Sequence, residues 1–266
     1  MCGVCGFWAA DLPSATTARD RLQAMSDAIV HRGPDGSGLW HHAPTGVGFA
    51  HRRLSIIDLS ESGLQPMRSL TGRFTICFNG EVFNFEALRQ ELAKLGAAPK
   101  WRGHSDTEVM LAAIEHWGLE GAVGRFVGMF AFALWDEQTH TLSLVRDRLG
   151  IKPMYWSVTS NGLCFGSELK ALRPFPGFTR AIDRHALAEY LGTYCVPAPR
   201  TIYAGTSKLE PGTIATFTSA KAAPTVKRYW SAAEVARDGL RNPFRGTETE
   251  AIDALAGDVA LRCSMG

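Results

Sequence analysis

The chain has 266 residues, is 45% hydrophobic and 20% charged, and carries a formal net charge of +2. That balance suits a soluble globular protein with a sizeable core, and no basic stripe points to nucleic acid. No apolar run reaches the roughly 18 residues needed to span a bilayer, and no basic segment leads an apolar core as a secretory signal would. Six cysteines are scattered as Cys2, Cys5, Cys77, Cys164, Cys195 and Cys263. A chain this large needs no disulfide staples, so a reducing cytoplasm is the expected location.

In chain order, residues 2–8 predict a short apolar strand. Leu22, Met25 and Ile29 fall at i, i+3 and i+7, the stripe of an amphipathic helix. Glycines and a proline then break the chain across 31–36. Residues 47–53 and 73–78 predict strands. A helix follows from Asn84, with Leu88, Leu92 and Leu95 on one face and Gly96 as its stop. Ser105 or Asp106 caps the next helix, which should end at Trp117 before Gly118. Residues 129–136, 141–147, 154–158 and 162–167 predict strands joined by short turns, hence antiparallel. The fold class expected is α+β in layers, not a parallel doubly wound sheet.

Beyond Gly212 the character changes. Residues 213–246 read as a linker, with Asn242-Pro243 as its clearest punctuation, and 247–261 carries an apolar stripe of Ile252, Leu255 and Val259 at helical spacing.

The first chemically suggestive feature is Met1-Cys2-Gly3. Once an initiator Met is trimmed, Cys2 carries both a nucleophile and a base. Its thiol attacks, and its own α-amine, with an ordinary pKa of about 7.7–8.0, takes the proton. By itself this is weak, since a second-position cysteine also serves as an ordinary buried strand residue. Cys2 and Cys5 also form a CxxC, but no second ligand pair stands at zinc spacing. Four further segments have bland readings of their own. Gly33-Pro34-Asp35-Gly36 and Asn79-Gly80 are turn signals, Ser105-Asp106-Thr107-Glu108 is an N-cap, and Arg53 suits a surface.

Taken together and in order, the segments resemble one family. The Cys-Gly start, HRGPD, RLSIID, FNGEVFN, SDTEV, FAFALWD, RDRLGIKPMYW, GSELKAL, YCVPAPRTIYAG and KLEPG are similar to the glutaminase domain of glutamine-hydrolysing asparagine synthetases. This domain is a class II, N-terminal-nucleophile glutamine amidotransferase. The resemblance runs from Cys2 to about Gly212. It implies a four-layer αββα sandwich of two antiparallel sheets. It also implies that Cys2 attacks the glutamine side-chain amide and that the Asn79 side chain and Gly80 N–H hold the oxyanion. Arg53 would grip the substrate α-carboxylate, and Glu81 and Asp106 the α-ammonium. The backbone of Leu54, Ser55, Ile56 and Ile57 would line the same pocket.

The implied activity is hydrolysis of L-glutamine to glutamate and ammonia. The glutaminase half needs no cofactor or metal; ATP and Mg belong to the synthetase half. The Ser-Gly-Gly-x-Asp-Ser loop of that half does not occur here, so 247–266 reads as its truncated first helix. Expected partners are glutamine and a synthetase domain or chain in trans, with a homodimer allowed and no nucleic acid or membrane. Phe175, Phe178, Tyr194 and the 241–266 tail are the candidate apolar docking face. Alternatives are a catalytically silent regulatory or assembly domain, a glutaminase serving another carboxylate acceptor, another N-terminal-nucleophile hydrolase, and a CxxC metal or redox protein.

Overall fold

The structure, a computed structural model, describes residues 2–54 and 63–263. Two six-stranded sheets form its centre. The first comprises β1 (Gly3–Ala9), β2 (Gly36–His42), β3 (Val47–Arg53), β8 (Tyr155–Thr159), β9 (Gly162–Gly166) and β10 (Thr206–Lys208), in the order β10-β8-β9-β1-β3-β2. The second comprises β4 (Met67–Arg68), β5 (Phe74–Val82), β6 (Gly128–Asp136), β7 (Thr141–Arg146), β11 (Thr213–Phe217) and β12 (Thr225–Arg228), in the order β12-β11-β7-β6-β5-β4. The paired strands are antiparallel.

Alternation along the strands explains the layers, because successive side chains point to opposite faces. On β1, Val4 and Trp8 join Phe49, Trp135, Phe165 and Phe217 in the core between the sheets. Cys5 and Phe7, one step out of phase, pack instead with Leu22, Met25 and Ile29 beneath α1 (Ala15–Asp27). On β5, Cys77 faces the central layer, while Ile76 and Phe78 pack under α2 (Phe85–Lys94) and α3 (Asp106–Arg125). Both faces of both sheets are therefore apolar, and the result is αββα. Short helices α4 (Leu169–Leu172) and α5 (Arg184–Thr193) follow β9, and α6 (Ala232–Arg241) and α7 (Glu248–Cys263) close the chain.

The expected stop at Gly118 is present as a break inside α3, where Gly118 takes φ 72 and ψ 166 before the helix resumes and runs to Arg125. Strand β5 runs four residues past the expected 78, because Asn79-Gly80-Glu81 continues the ladder with β6 through Val82↔Gly128. Residues 213–217 and 225–228, read from sequence within a linker, are strands that complete the second sheet. There Thr213, Ala215 and Phe217 present one buried face. Phe175, expected on an exposed docking face, is instead buried against Phe7 with ring centroids 5.5 Å apart. Tyr194 is 84% exposed.

Candidate active site

Cys2 stands at the mouth of the central layer. Gly3 pairs with Arg52 across β1 and β3, so Cys2 falls beside Arg53 and Leu54. The Leu54 N–H points at Cys2 Sγ from 3.4 Å, and the thiol reaches the Leu54 carbonyl at 3.5 Å. Cys2 lines a cleft with Arg53, Leu54, Gly80, Glu81 and Asp106. Cys5, three residues on, belongs to the opposite face of the sheet, and burial pushes its thiol up to about 12. The two sulfurs of the CxxC thus serve different layers. Cys2, Cys5, Cys77, Cys164 and Cys195 are free thiols. Among the described residues, no group of three or more His, Cys, Asp or Glu side chains is arranged to hold a metal.

Strand β5 brings the second set of groups. Gly80 adopts φ +152, and a Cβ there would lie 2.1 Å from the Met129 carbonyl oxygen, so no other residue fits. Opposite it, Phe130 donates its N–H to Asp147 Oδ2 at 3.2 Å and accepts from Asp147 N–H at 2.8 Å, so both groups point toward the end of β7 and away from Gly80. Along the same edge, the Phe78 N–H donates to Gln65 Oε1 at 2.6 Å and the Val82 N–H to Asp106 Oδ2 at 3.0 Å. The Gly80 N–H lies between these two bonded amides, on the cleft side. Next to it Asn79 is 1% exposed, and its Nδ2 has no hydrogen-bond partner among the described residues. A buried donor left unpaired costs about 1–3 kcal/mol; Asn79 holds such a donor beside Gly80, although Gly80 and not Asn79 is among the residues that line the cleft.

Charge enters from three elements. Ser105 caps α3 by accepting the Glu108 N–H at 3.3 Å, and Glu108 turns back to accept the Arg102 and Gly103 amides at 2.8 and 3.1 Å. The capping reading of this segment therefore holds, and the same cap delivers Asp106 to the cleft. Burial raises the Asp106 pKa to about 6; amide and hydroxyl hydrogen bonds from Val82 and Thr107 oppose the rise, and nearby Glu81 adds to it. Burial also raises Glu81, against the attraction of Lys152. Arg53 closes the set at the end of β3, 9% exposed. Two carboxylates and a guanidinium in one cleft can read a zwitterion, while the unpaired Asn79 amide and the Gly80 N–H on the cleft side can receive an oxyanion. Ser55, Ile56 and Ile57 lie outside the described residues.

Three residues escaped the sequence reading. His51 lines the cleft and donates from Nε2 to the Phe78 carbonyl at 3.0 Å, tying the two sheets together next to Asn79. Burial, with Arg53 adding, holds its pKa down to about 4 against that hydrogen bond. Being two residues before Arg53 on a strand, it shares Arg53's face, and that period was the available signal. Gln65 joins β5 to α3 by donating to Thr107 Oγ1 at 3.3 Å. Lys152 is buried in the turn after β7, and burial lowers its pKa against the attraction of Glu81. Its turn is built by Asp147, whose carboxylate accepts the amides of Leu149, Ile151 and Lys152 at 3.1, 2.9 and 2.9 Å. Arg146 spans the same turn, donating to the carbonyls of Lys152 and Gly150.

A family model described as a glutamine amidotransferase domain matches residues 1–230. The chain belongs to this family. Its sandwich is the N-terminal-nucleophile amidotransferase fold. The glutamine phosphoribosylpyrophosphate amidotransferase of B. subtilis superposes with a TM-score of 0.60 at 17% identity, over 86% of this chain and 49% of that one. In sequence, the chain is 41% identical over 214 residues to asparagine synthetase [glutamine-hydrolyzing] 1 of Bacillus subtilis, covering 80% of this chain and 33% of that protein. It is 36% identical over 236 residues to asparagine synthetase [glutamine-hydrolyzing] 3 of the same organism, covering 87% and 37%. The chain thus spans about a third of the length of these curated relatives. No described helix is long and apolar enough to cross a membrane.

Proposed function

We propose that this glutamine amidotransferase domain, with Met1 removed, hydrolyses L-glutamine through a thioester on Cys2. The free α-amine takes the thiol proton, and sulfur attacks the side-chain amide carbon. The oxyanion is received by Asn79 Nδ2 and the Gly80 N–H, and the unpaired buried Asn79 donor is the observation that carries this reading. The amine then protonates the departing ammonia, and water hydrolyses the thioester to glutamate.

Arg53 pairs with the substrate α-carboxylate as a planar fork, and Asp106 with Glu81 receives the α-ammonium. Reading the head group at one end and the amide at the other favours glutamine over asparagine, which is one methylene too short to reach both. Remote contacts of this kind position the reacting carbon.

The glutaminase step uses no cofactor. The relatives named asparagine synthetase support a further reading, in which the ammonia feeds ATP- and Mg-dependent amidation of a carboxylate, aspartate among the candidates, on a synthetase domain in the same or a separate chain. In that reading 2–212 holds the catalytic apparatus and 247–266 begins the synthetase region.

Acid-quenched turnover of glutamine followed by peptide mapping tests the chemistry. A glutamyl adduct on the Cys2 peptide is expected. Turnover with the adduct on another residue, or with none, would replace this mechanism.

A further inference from the structure

Cys2 is also held from behind, by side chains outside the cleft. Arg32 Nε donates to the Cys2 carbonyl at 2.9 Å, and Arg32 Nη1 donates to Glu168 Oε1 at 3.0 Å. The Arg32 side chain is only 8% exposed. Its stem lies on Gly3, where an added Cβ would come within 3.3 Å of Arg32 Cδ and 2.9 Å of Ile29 Cδ1. Glycine after Cys2 is what lets the guanidinium approach this closely.

The neighbouring residue reinforces the arrangement. Ser167 Oγ accepts the Val4 N–H at 3.0 Å, and the Ser167 N–H donates to the Val4 carbonyl at 2.8 Å. Ser167 and Glu168 therefore fix Val4 directly and Cys2 through Arg32. Glu168 is also met by His31 Nε2 at 2.9 Å and Lys170 Nζ at 3.2 Å. Burial works against its charge, but the bonds from His31, Arg32 and Lys170 outweigh that and keep its carboxyl below the usual range.

A chain-terminal nucleophile has an anchoring problem that an internal one does not. Strand β1 begins at Gly3, so the Cys2 carbonyl is the backbone group left to fix its orientation. With the carbonyl held by Arg32 and the sulfur by Leu54, little rotation remains for the amine relative to the thiol. Resting on the reading of Cys2 as nucleophile, we propose that Arg32, held by Glu168, is a positioning residue that sets the direction in which Cys2 presents its thiol and amine.

Misplacement of a reacting group by about 1 Å commonly costs on the order of 10²-fold in rate. Arg32→Ala should therefore lower kcat roughly 10- to 100-fold, with KM within about threefold because the substrate contacts lie on β3, β5 and α3. Arg32→Lys, which can satisfy the carbonyl or Glu168 but not both, should recover part of the loss. Glu168→Gln, which keeps an acceptor for Arg32, should lose less than Arg32→Lys. Lys170→Ala removes a charge from Glu168 without touching Cys2 and should stay within about twofold of wild type.

Kd for glutamine, measured in a Cys2→Ala background, should be unchanged by Arg32→Ala, which a collapse of the site would not allow. If Arg32→Ala does not fold, Arg32→Lys and Glu168→Gln carry the test. Wild-type turnover with Arg32→Lys and Glu168→Gln both within twofold in kcat would overturn the proposal. So would an equal rise in KM and Kd. A wild-type chain that lacks Met1 and releases no glutamate would instead sink the underlying reading of Cys2.

Discussion

Asp106 Oδ2 accepts the backbone N–H of Val82 at 3.0 Å, so the first turn of α3 is bonded directly to the strand that carries Asn79, Gly80 and Glu81. The carboxylate that would read the substrate head group and the amides that would receive the oxyanion are thus parts of one rigid joint. Neither moves without the other.

The joint makes a pH prediction with a definite sign. Asp106 has its folded pKa raised to about 6 by burial, from an ordinary 3.8. Below about pH 6 it protonates and can no longer pair with an α-ammonium, so kcat/KM for glutamine should fall as pH drops through that value. Stability runs the other way. Above pH 6 the buried charge costs the fold on the order of 2–3 kcal/mol, and below the ordinary pKa that cost is gone. Asp106→Asn should accordingly show a higher Tm than wild type at pH 8, with the gap closing by about pH 4, while glutamine use falls at least tenfold. Thermal melts at both pH values decide it; a lower Tm for the variant at pH 8 contradicts the burial account.

Asn79→Ala separates catalysis from stability. The side chain donates to nothing among the described residues, so its loss removes an unsatisfied group and should leave Tm unchanged or raised. Turnover should drop roughly 10²–10³-fold with a smaller change in KM. A strong KM effect with kcat preserved would place Asn79 in the head-group clamp instead.

The two N-terminal cysteines should behave oppositely toward alkylation. Cys5 is buried with its thiol raised to about 12, so it should resist a small alkylating reagent in the native state. Cys2 lines the cleft and should react. Cys5→Ala should keep most activity and lose about 1 kcal/mol of stability from the removed core atoms, whereas Cys2→Ala and Cys2→Ser should be inactive. Equal loss in Cys5→Ala, with the fold intact, would return attention to the CxxC.

The tail makes a fourth prediction. Tyr229 anchors the end of the second sheet, donating from its hydroxyl to the Arg146 carbonyl at 2.8 Å. Beyond it α6 buries no residue, and Leu240, Phe244, Ile252 and Leu255 are exposed. Limited proteolysis should cut after about Trp230 and leave an active core. A tail as resistant as the sheets, or a core that loses activity on trimming, would show that α6 and α7 pack on the domain.

How much of this could be read in the sequence follows from the range of each signal. Strand β3 was legible at 47–53 because its apolar residues sit between turn residues. The break at Gly118 is legible because glycine, alone among common residues, takes positive φ readily. Cys2, Arg53, Gly80, Glu81 and Asp106 were named from motifs, and the fold does bring them to one cleft. What failed was context. The turn preference of Asn79-Gly80 predicts a strand that ends at 78, but pairing with β6 overrides it. Phe175 reads as a surface residue because one sequence cannot show that Phe7 covers it. His51, Gln65 and the Arg32–Glu168 pair act through partners 13 to 136 residues away, and their roles become visible only when the sheets are assembled.

The most direct test is glutamate release by the purified chain, in the absence of ATP and of any carboxylate acceptor, with intact mass recorded on the same sample. Molecules that have lost Met1 should hydrolyse glutamine, and Cys2→Ala prepared identically should not. Activity that persists in Cys2→Ala, or a Met1-free wild-type chain that releases no glutamate, would contradict the assignment of Cys2 as the nucleophile.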